Sequence, residues 1–567
     1  MLIFTSLTVI ALSSASLTIS EPADGETYDG DWLTVRAIVE NENELPDYVH
    51  YSLNGEQVIQ IPRLNTNWYT YMQNNVNHGY SESPAPTDNT VLWTAPVTGT
   101  DHEFPTPVVV EGVVYYPSNY GTDSLYALDA ATGELIWKYN TGYTDDAVTV
   151  RNGRLYTASD SLWCLDALTG EKFWATSLAD ASGSTPVATD DRVYAALWVP
   201  YTRDTSISCF DAETGTQIWV DTLPGRPVSC MALRDGMVFL PTFSEISESP
   251  LYALDANTGS VIWANMDSDV GYWDSSPVIA GNTVYIGGAH SLIIAIDVST
   301  GQTVWNRDLS PGTTTATIAY HDERLYFAKQ AGPYYCLDAS TGNTFWSVPG
   351  RQHGSSCIAD GIIFYGEAFY GDKADSARVI ALDCENGSEI WSRTIASSHY
   401  GFQGSPSITD GVMYFPATDG NLYAFGTGLK YTYLDDLFTQ VGANELIVTS
   451  FDDGLAVAAD TINFVVTGTG IHLAPSRLFG LSVSPNPFRS SATISFHISE
   501  SGYTSIQVFD LSGRIVSTIE NSNLSSGQHS CLWSGRNQDG EAVSAGLYLC
   551  RIQSGETSET IGLCLLR

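Results

Sequence analysis

The chain has 567 residues, 64 acidic against 24 basic, giving a net charge of −40 and a pI near 4.3. A surface of that sign repels nucleic acid and anionic lipid, which removes both as expected partners. Only 16% of residues are charged while 43% are hydrophobic, so the chain has ample apolar surface to bury and is not a disordered acidic tail.

Residues 1–12, MLIFTSLTVIAL, form an apolar run too short to span a bilayer, and the small residues Ser13, Ser14, Ala15 and Ser16 follow. This reads as a signal peptide over 1–15, cut near Ala15, and hence as export. No later run is apolar enough and long enough to suggest a transmembrane segment. Residues 17–62 read as strands of an Ig-like β-sandwich, first half: WLTVRAIVE at 32–40 alternates, and YVHYSLNGEQVIQI at 48–61 is a hairpin around Asn54-Gly55. A complete Ig-like domain needs about seven strands in about 100 residues, so this is half of one.

An internal repeat then dominates. It reads LYALDAATGELIW at 125–137, LWCLDALTGEKFW at 162–174, ISCFDAETGTQIW at 207–219 and LYALDANTGSVIW at 251–263. It continues as IIAIDVSTGQTVW at 293–305, YYCLDASTGNTFW at 334–346 and VIALDCENGSEIW at 379–391. The aspartates Asp129, Asp166, Asp211, Asp255, Asp297, Asp338 and Asp383 are spaced by 37, 45, 44, 42, 41 and 45 residues. Eight residues after each comes a tryptophan: Trp137, Trp174, Trp219, Trp263, Trp305, Trp346 and Trp391. Alternating apolar residues make a strand, Asp-x-x-Thr-Gly closes a tight turn, and the tryptophan strand returns. Another strand pair precedes each hairpin, so each unit is a four-stranded meander, a propeller blade. Eight inner pairs are visible, but only seven full hairpins. The eighth has LYAFGTG at 422–428, and a spare tryptophan strand, NTVLWTA, lies at 89–95. Trp93 is therefore expected to supply the outermost strand of the last blade, closing the ring from both ends. The tryptophans are expected to dock between blades and the aspartates to accept turn N–H bonds.

The pattern of Ala127, Asp129, Thr132, Gly133 and Trp137 resembles the tryptophan-docking motif of pyrroloquinoline-quinone (PQQ)-type propellers. NWYTYMQNNVNHGYS at 67–81 also resembles the leading segment of that superfamily. The resemblance covers 67–428 and implies an eight-bladed PQQ-like β-propeller. The superfamily includes quinoprotein dehydrogenases, an outer-membrane-barrel assembly lipoprotein and extracellular binding proteins, so the fold does not choose among them. The dehydrogenases typically place PQQ against an adjacent Cys-Cys disulfide, beside Ca²⁺ and a catalytic Asp. The nine cysteines here include no adjacent pair and no CxxC, and no position matches those ligands residue by residue. Neither PQQ nor Ca²⁺ is expected as a cofactor. Cys164, Cys209 and Cys336 fall where other copies have Ala and read as small buried side chains.

Residues 431–470 read as the second half of the Ig-like sandwich, with ANELIVTSFDDG at 443–454 and AVAADTINFVV at 456–466. Together the halves resemble one bacterial Ig-like domain, which makes the propeller an expected insertion in it; two small separate β-units are the alternative. Residues 478–567 form a further β unit, with SPNPFRSSATISFHIS at 484–499, IQVFDLSGRIVSTI at 506–519 and AGLYLCRI at 545–552. The PNPF start, the VFDLSGR hairpin, Trp533 and GLYLCRI resemble a type IX secretion C-terminal sorting domain and the flagellar hook-capping Ig-like domain. That implies passage across an outer membrane by secretion machinery that engages this domain. Cys531 and Cys550 lie in this unit and are a possible pair.

In this strand order two loop sets share one propeller face. The loops carry Tyr143, Asp145, Asp146, Asp267, Asp269, Tyr272, Trp273, Asp274, His353, His399, Tyr400 and Phe402. Aromatics interleaved with carboxylates on loops suit a sugar, peptide or cation. Solvated loop residues and packing aromatics are the plain alternative at any one position. No EF-hand, HExxH or GxSxG elbow occurs, no catalytic residue is assigned, and no metal ligands are expected. Lone histidines such as His78 and His321 show no ligand spacing. The expected fold class is all-β, an eight-bladed β-propeller with flanking Ig-like β-sandwich domains. The expected function is a secreted or cell-surface, non-catalytic binding or scaffold protein with a protein or glycan ligand on that face. The alternatives are a PQQ-dependent dehydrogenase or glycan-active enzyme, and a periplasmic outer-membrane assembly scaffold.

Overall fold

Each repeat folds back on itself because its aspartate gathers the turn. In the computed structural model the Asp129 carboxylate accepts hydrogen bonds from the N–H groups of Ala131 and Thr132 and from the Thr132 hydroxyl, at 2.8–3.0 Å. Gly133, at φ +73°, donates its N–H to the Asp129 carbonyl and lets the chain reverse. The threonine donors recur at Asp166, Asp211, Asp255, Asp297 and Asp338, and Asn386 stands in for threonine beside Asp383. The hydroxyl and N–H donors hold the Asp211, Asp255 and Asp297 carboxyls below their usual range.

The structure describes residues 66–97 and 105–438 apart from short loop gaps, with strands inside 16–61, 442–466 and 482–565. Residues 1–15, read as a signal peptide, lie outside the described residues. Between 91 and 425 run eight antiparallel sheets of four strands, two of them extended by a further short strand. The first blade is Val108–Val110, Val113–Ser118, Ser124–Asp129 and Leu135–Asn140. The eighth joins Ser407–Thr409, Val412–Pro416 and Asn421–Phe425 to Val91–Pro96 from the other end of the propeller, with Trp93 opposite Ala424.

The tryptophans lock each blade to the next. Their indole N–H groups donate to carbonyls one blade on: Trp93 to Ala130, Trp137 to Ala167, Trp174 to Ala212, Trp219 to Ala256, Trp263 to Val298, Trp305 to Ala339 and Trp346 to Cys384, at 2.9–3.2 Å. Trp391 faces the blade without a full hairpin and donates instead to the Pro86 carbonyl at 3.2 Å. Across the hairpin each indole faces a small residue, Ala127 for Trp137 but Cys164, Cys209 and Cys336 for Trp174, Trp219 and Trp346. Those thiols are buried, and burial pushes Cys209 up to about 11 and Cys336 up to about 12, so they act as small apolar fillers.

Strands from before and after the propeller pair with one another. Tyr48–Leu53 runs antiparallel to Gly442–Asp452, with Tyr48 opposite Phe451. Trp32–Asn41 lies between Ser16–Glu21 and Leu429–Phe438. Arg36 of this sheet forms a 2.7 Å ion pair with Asp360 of the seventh blade.

Residues Asn463–Arg567, with Asp24–Leu33 and Asp436–Asn444, form a second compact unit. It has one sheet of Ser482–Ser484, Ala492–Ile498 and Gly527–Trp533 and another of Gly502–Phe509, Ile515–Leu524, Gly546–Ser554 and Thr557–Leu565. Its core holds Phe496, Ile506, Val508, Trp533, Cys550 and Ile552. No disulfide joins Cys531 to Cys550, against the possible pairing above. Among the described residues no helix is long and apolar enough to cross a membrane, which says nothing of β-barrels.

Candidate functional site

The first strands of most successive blades touch around the ring, and the eighth touches the first. Their inner edges would present unpaired backbone groups to a central channel. Residues 66–81 fill that position and meet every blade. Trp68 exchanges two backbone hydrogen bonds with Val109, and the carbonyls of Tyr69, Asn75, Val76, His78 and Gly79 accept from Val150, Leu233, Ile279, Tyr320 and Ile358. The Asn75 amide donates to the Ala188 carbonyl at 2.9 Å, and the Thr66 hydroxyl donates to Asp410 at 2.8 Å. The Asn77 amide donates to the carbonyls of both Met231 and Pro277, at 3.2 and 3.0 Å. His78 Nε2 lies 2.8 Å from the Ile279 carbonyl, which fixes it as the protonated nitrogen, and burial lowers its pKa and keeps the ring neutral.

Hydroxyls gather around this segment. The Tyr71 hydroxyl contacts Thr317 Oγ1 at 3.0 Å and Ser355 Oγ at 2.8 Å. The backbone N–H groups of Ser276, Thr317 and Ser355 donate to the hydroxyls of Thr317, Ser355 and Ser405, a chain running from blade to blade. Burial raises the Tyr71 phenol above its usual value, so it stays a neutral donor. This set does not fit PQQ, a tricarboxylate quinone whose charge calls for cationic partners, because the groups named here are neutral hydroxyls. Among the described residues, no three His, Cys, Asp or Glu side chains are grouped to share a metal ion.

The residues expected on the loop face divide into two sets. Tyr143, Asp145, Trp273, Asp274, His353 and Tyr400 lie outside the described residues, and His399 is described only as backbone opposite Ala374. Tyr272 and Phe402 are not on a solvent face. Tyr272 is 0% exposed in a cluster with Phe239 and Ile286, and its hydroxyl finds no partner among the described residues. Phe402 is 1% exposed, its ring 4.6 Å from that of Phe415 and its Cβ tight against Gly366. Both are packing aromatics, drawn inward by the apolar area they bury. Asp267 accepts a hydrogen bond from the Thr303 hydroxyl.

A cleft does open beside two of these loops. A cavity of about 860 Å³ opens between the sixth and seventh blades, lined in part by Arg351, Tyr365, Glu367, Arg378 and Glu389. Arg351 lies in the loop leading to Cys357–Ala359, and Glu367 begins the loop joining the middle strands of the seventh blade. Arg378 bonds Glu389 at 2.6 Å and Ser392 at 2.7 Å and lies 3.9 Å from Glu367. Ser392 and Arg378 together hold the Glu389 carboxyl below its usual range, so at neutral pH it is a hydrogen-bond acceptor, not a general acid. Burial raises the Tyr365 phenol. Nothing in the sequence singled out Arg378, because its partners Glu389 and Ser392 come from the neighbouring strand.

A family profile described as outer membrane protein assembly factor BamB matches residues 84–179, 158–393 and 289–428, together more than half of the chain. A second, described as FlgD Ig-like domain, matches residues 487–558. BamB of Salmonella typhimurium is 28% identical over 363 residues, 59% of this chain and 88% of that protein. Tetrathionate hydrolase of Acidithiobacillus ferrooxidans is 26% identical over 249 residues, 40% of this chain and 50% of the hydrolase. The dehydrogenase subunit of the quinone alcohol dehydrogenase of Komagataeibacter europaeus is 26% identical over 255 residues, 35% of this chain and 34% of the subunit. The match thus spans half or less of those two enzymes. Quinohemoprotein alcohol dehydrogenase from Comamonas testosteroni superposes with a TM-score of 0.53 at 14% identity, covering 66% of this chain and 82% of that one, a likeness of fold.

Proposed function

The chain belongs to the PQQ-like, BamB-type repeat propeller family and carries an FlgD Ig-like domain towards its C-terminus, and from that premise we propose a secreted or cell-surface binding and scaffold protein. The filled centre carries this reading. Residues 66–81 tie into all eight blades with backbone, amide and hydroxyl hydrogen bonds, so the middle of the ring acts as a structural hub. Recognition is left to the loops of one face and to the cleft beside them. The propeller is held as an insertion in an Ig-like sandwich, which the pairing of Tyr48–Leu53 with Gly442–Asp452 supports. The C-terminal β unit serves export as a sorting module. An outer-membrane assembly scaffold is the second reading, favoured by the 88% coverage of Salmonella BamB.

The test is a titration of the mature chain with PQQ, with and without Ca²⁺, followed by tryptophan fluorescence and paired with dye reduction by alcohols. No saturable signal and no turnover are expected. Saturable, Ca²⁺-dependent binding with turnover would overturn the reading. Fractionation then separates the two non-enzymatic readings: surface exposure or release supports a displayed binder, and retention in the periplasm supports an assembly scaffold.

A further inference from the structure

The residue four places after each docking tryptophan comes where the outermost strand leaves the hairpin, beside the next blade. In six of the eight copies it fills that junction: Val97, Thr141, Leu178, Leu223 and Ile395 are buried, and Leu309 packs against the core between the fifth and sixth blades, while after Trp263 it is the exposed Asp267, which accepts from the Thr303 hydroxyl. After Trp346 the position is Gly350, and the cleft between the sixth and seventh blades opens there. The cavity is thus a local departure from the repeat. A Cβ at Gly350 would approach the Tyr334 Cβ to 3.2 Å and the Tyr365 hydroxyl to 3.3 Å, so a side chain would press on the cleft lining.

We infer that this cleft is a binding site for a neutral oligosaccharide. The inference rests on the reading of the loops and the cleft beside them as a recognition surface and names the ligand class. About 300–1,000 Å³ is usual for a small-ligand site, and the cleft lies within that range. Its charges cancel, Arg351 and Arg378 against Glu367 and Glu389, in a chain of net charge −40. It therefore selects neither an anion nor a cation. Arg378 and Glu389 are fixed by each other and by Ser392, so they offer preorganised donors and acceptors of the kind vicinal hydroxyls need. Val348, Pro349 and the buried Ile380 and Leu382 supply an apolar wall for the C–H face of a sugar ring.

The full chain is titrated by calorimetry with glucose, galactose, mannose and N-acetylglucosamine trisaccharides, with glucuronate and an uncharged tetrapeptide alongside. Saturable binding of at least one neutral trisaccharide is expected, weakened at least tenfold by Gly350→Leu and several-fold by Glu389→Gln. Glu389→Gln keeps the shape of the side chain and decides the matter if Gly350→Leu melts at lower temperature. Failure of every neutral sugar, or binding of glucuronate or the peptide alone, overturns the inference. Sugar binding unchanged by both variants also overturns it, while leaving the face as a recognition surface. PQQ-dependent turnover would instead sink the broader reading, so the two failures are distinct.

Discussion

Gly215 and Gly153 share a backbone conformation, φ +70° and +71°, yet differ in what surrounds them. A Cβ on Gly215 would lie 2.5 Å from the Trp174 ring, whereas one on Gly153 would meet nothing within 4 Å. Gly153→Ala is expected to cost about 1–2 kcal/mol, the strain of a left-handed alanine. Gly215→Ala adds about 1–3 kcal/mol of overpacking against the indole. Urea midpoints of the two variants check this, and equal losses would mean that docking does not require glycine. Turn geometry was legible in Asp-x-x-Thr-Gly, because every contact is within five residues. The second reason for the glycine was hidden, since the tryptophan that lies against it comes from the preceding copy. The same limit misplaced Tyr272 and Phe402. Alternation stops at a loop, and an aromatic there carries no mark of whether it turns inward.

At the scale of elements, the strands follow the alternating pattern closely, while 66–81 has no period to read. Its irregularity has a physical cause: successive residues meet different blades, so no spacing repeats. Asn77 shows how much depends on single side chains, because its amide spans carbonyls of the fourth and fifth blades. Asn77→Ala leaves two buried carbonyls without that donor and is expected to cost about 2–4 kcal/mol. Guanidinium unfolding measures it; a loss below about 0.5 kcal/mol, the level of a surface substitution, would show that the segment does not brace the ring. Likewise, the cleft was unreadable from any one strand. It depends on what Gly350 lacks relative to the six copies that fill the junction, and on Arg378 finding Glu389 across a hairpin.

For the molecule as a whole, the count of eight inner pairs and seven hairpins already located the composite last blade. The pairing beyond the propeller was legible only as two halves of a sandwich. Removing residues 16–61 takes Tyr48–Leu53 away from Gly442–Asp452. Amide exchange at 446–451 is expected to rise by orders of magnitude in that variant while the blades stay protected. Unchanged protection at 446–451 would separate the two halves into independent β units.

Ring closure also sets an order of events during synthesis. The strand bearing Trp93 leaves the ribosome first among the strands of the eighth blade, and its partner at Ala424 follows about half a minute later at ~10 residues per second. Over that interval the Val91–Pro96 strand has an unpaired edge, and residues 66–81 gain their partners one blade at a time. A nascent chain stopped before Asn421–Phe425 is therefore not a smaller ring but an open arc with a sticky edge at each end. The acidic surface, which keeps such arcs apart by mutual repulsion, protects the protein most before it is finished.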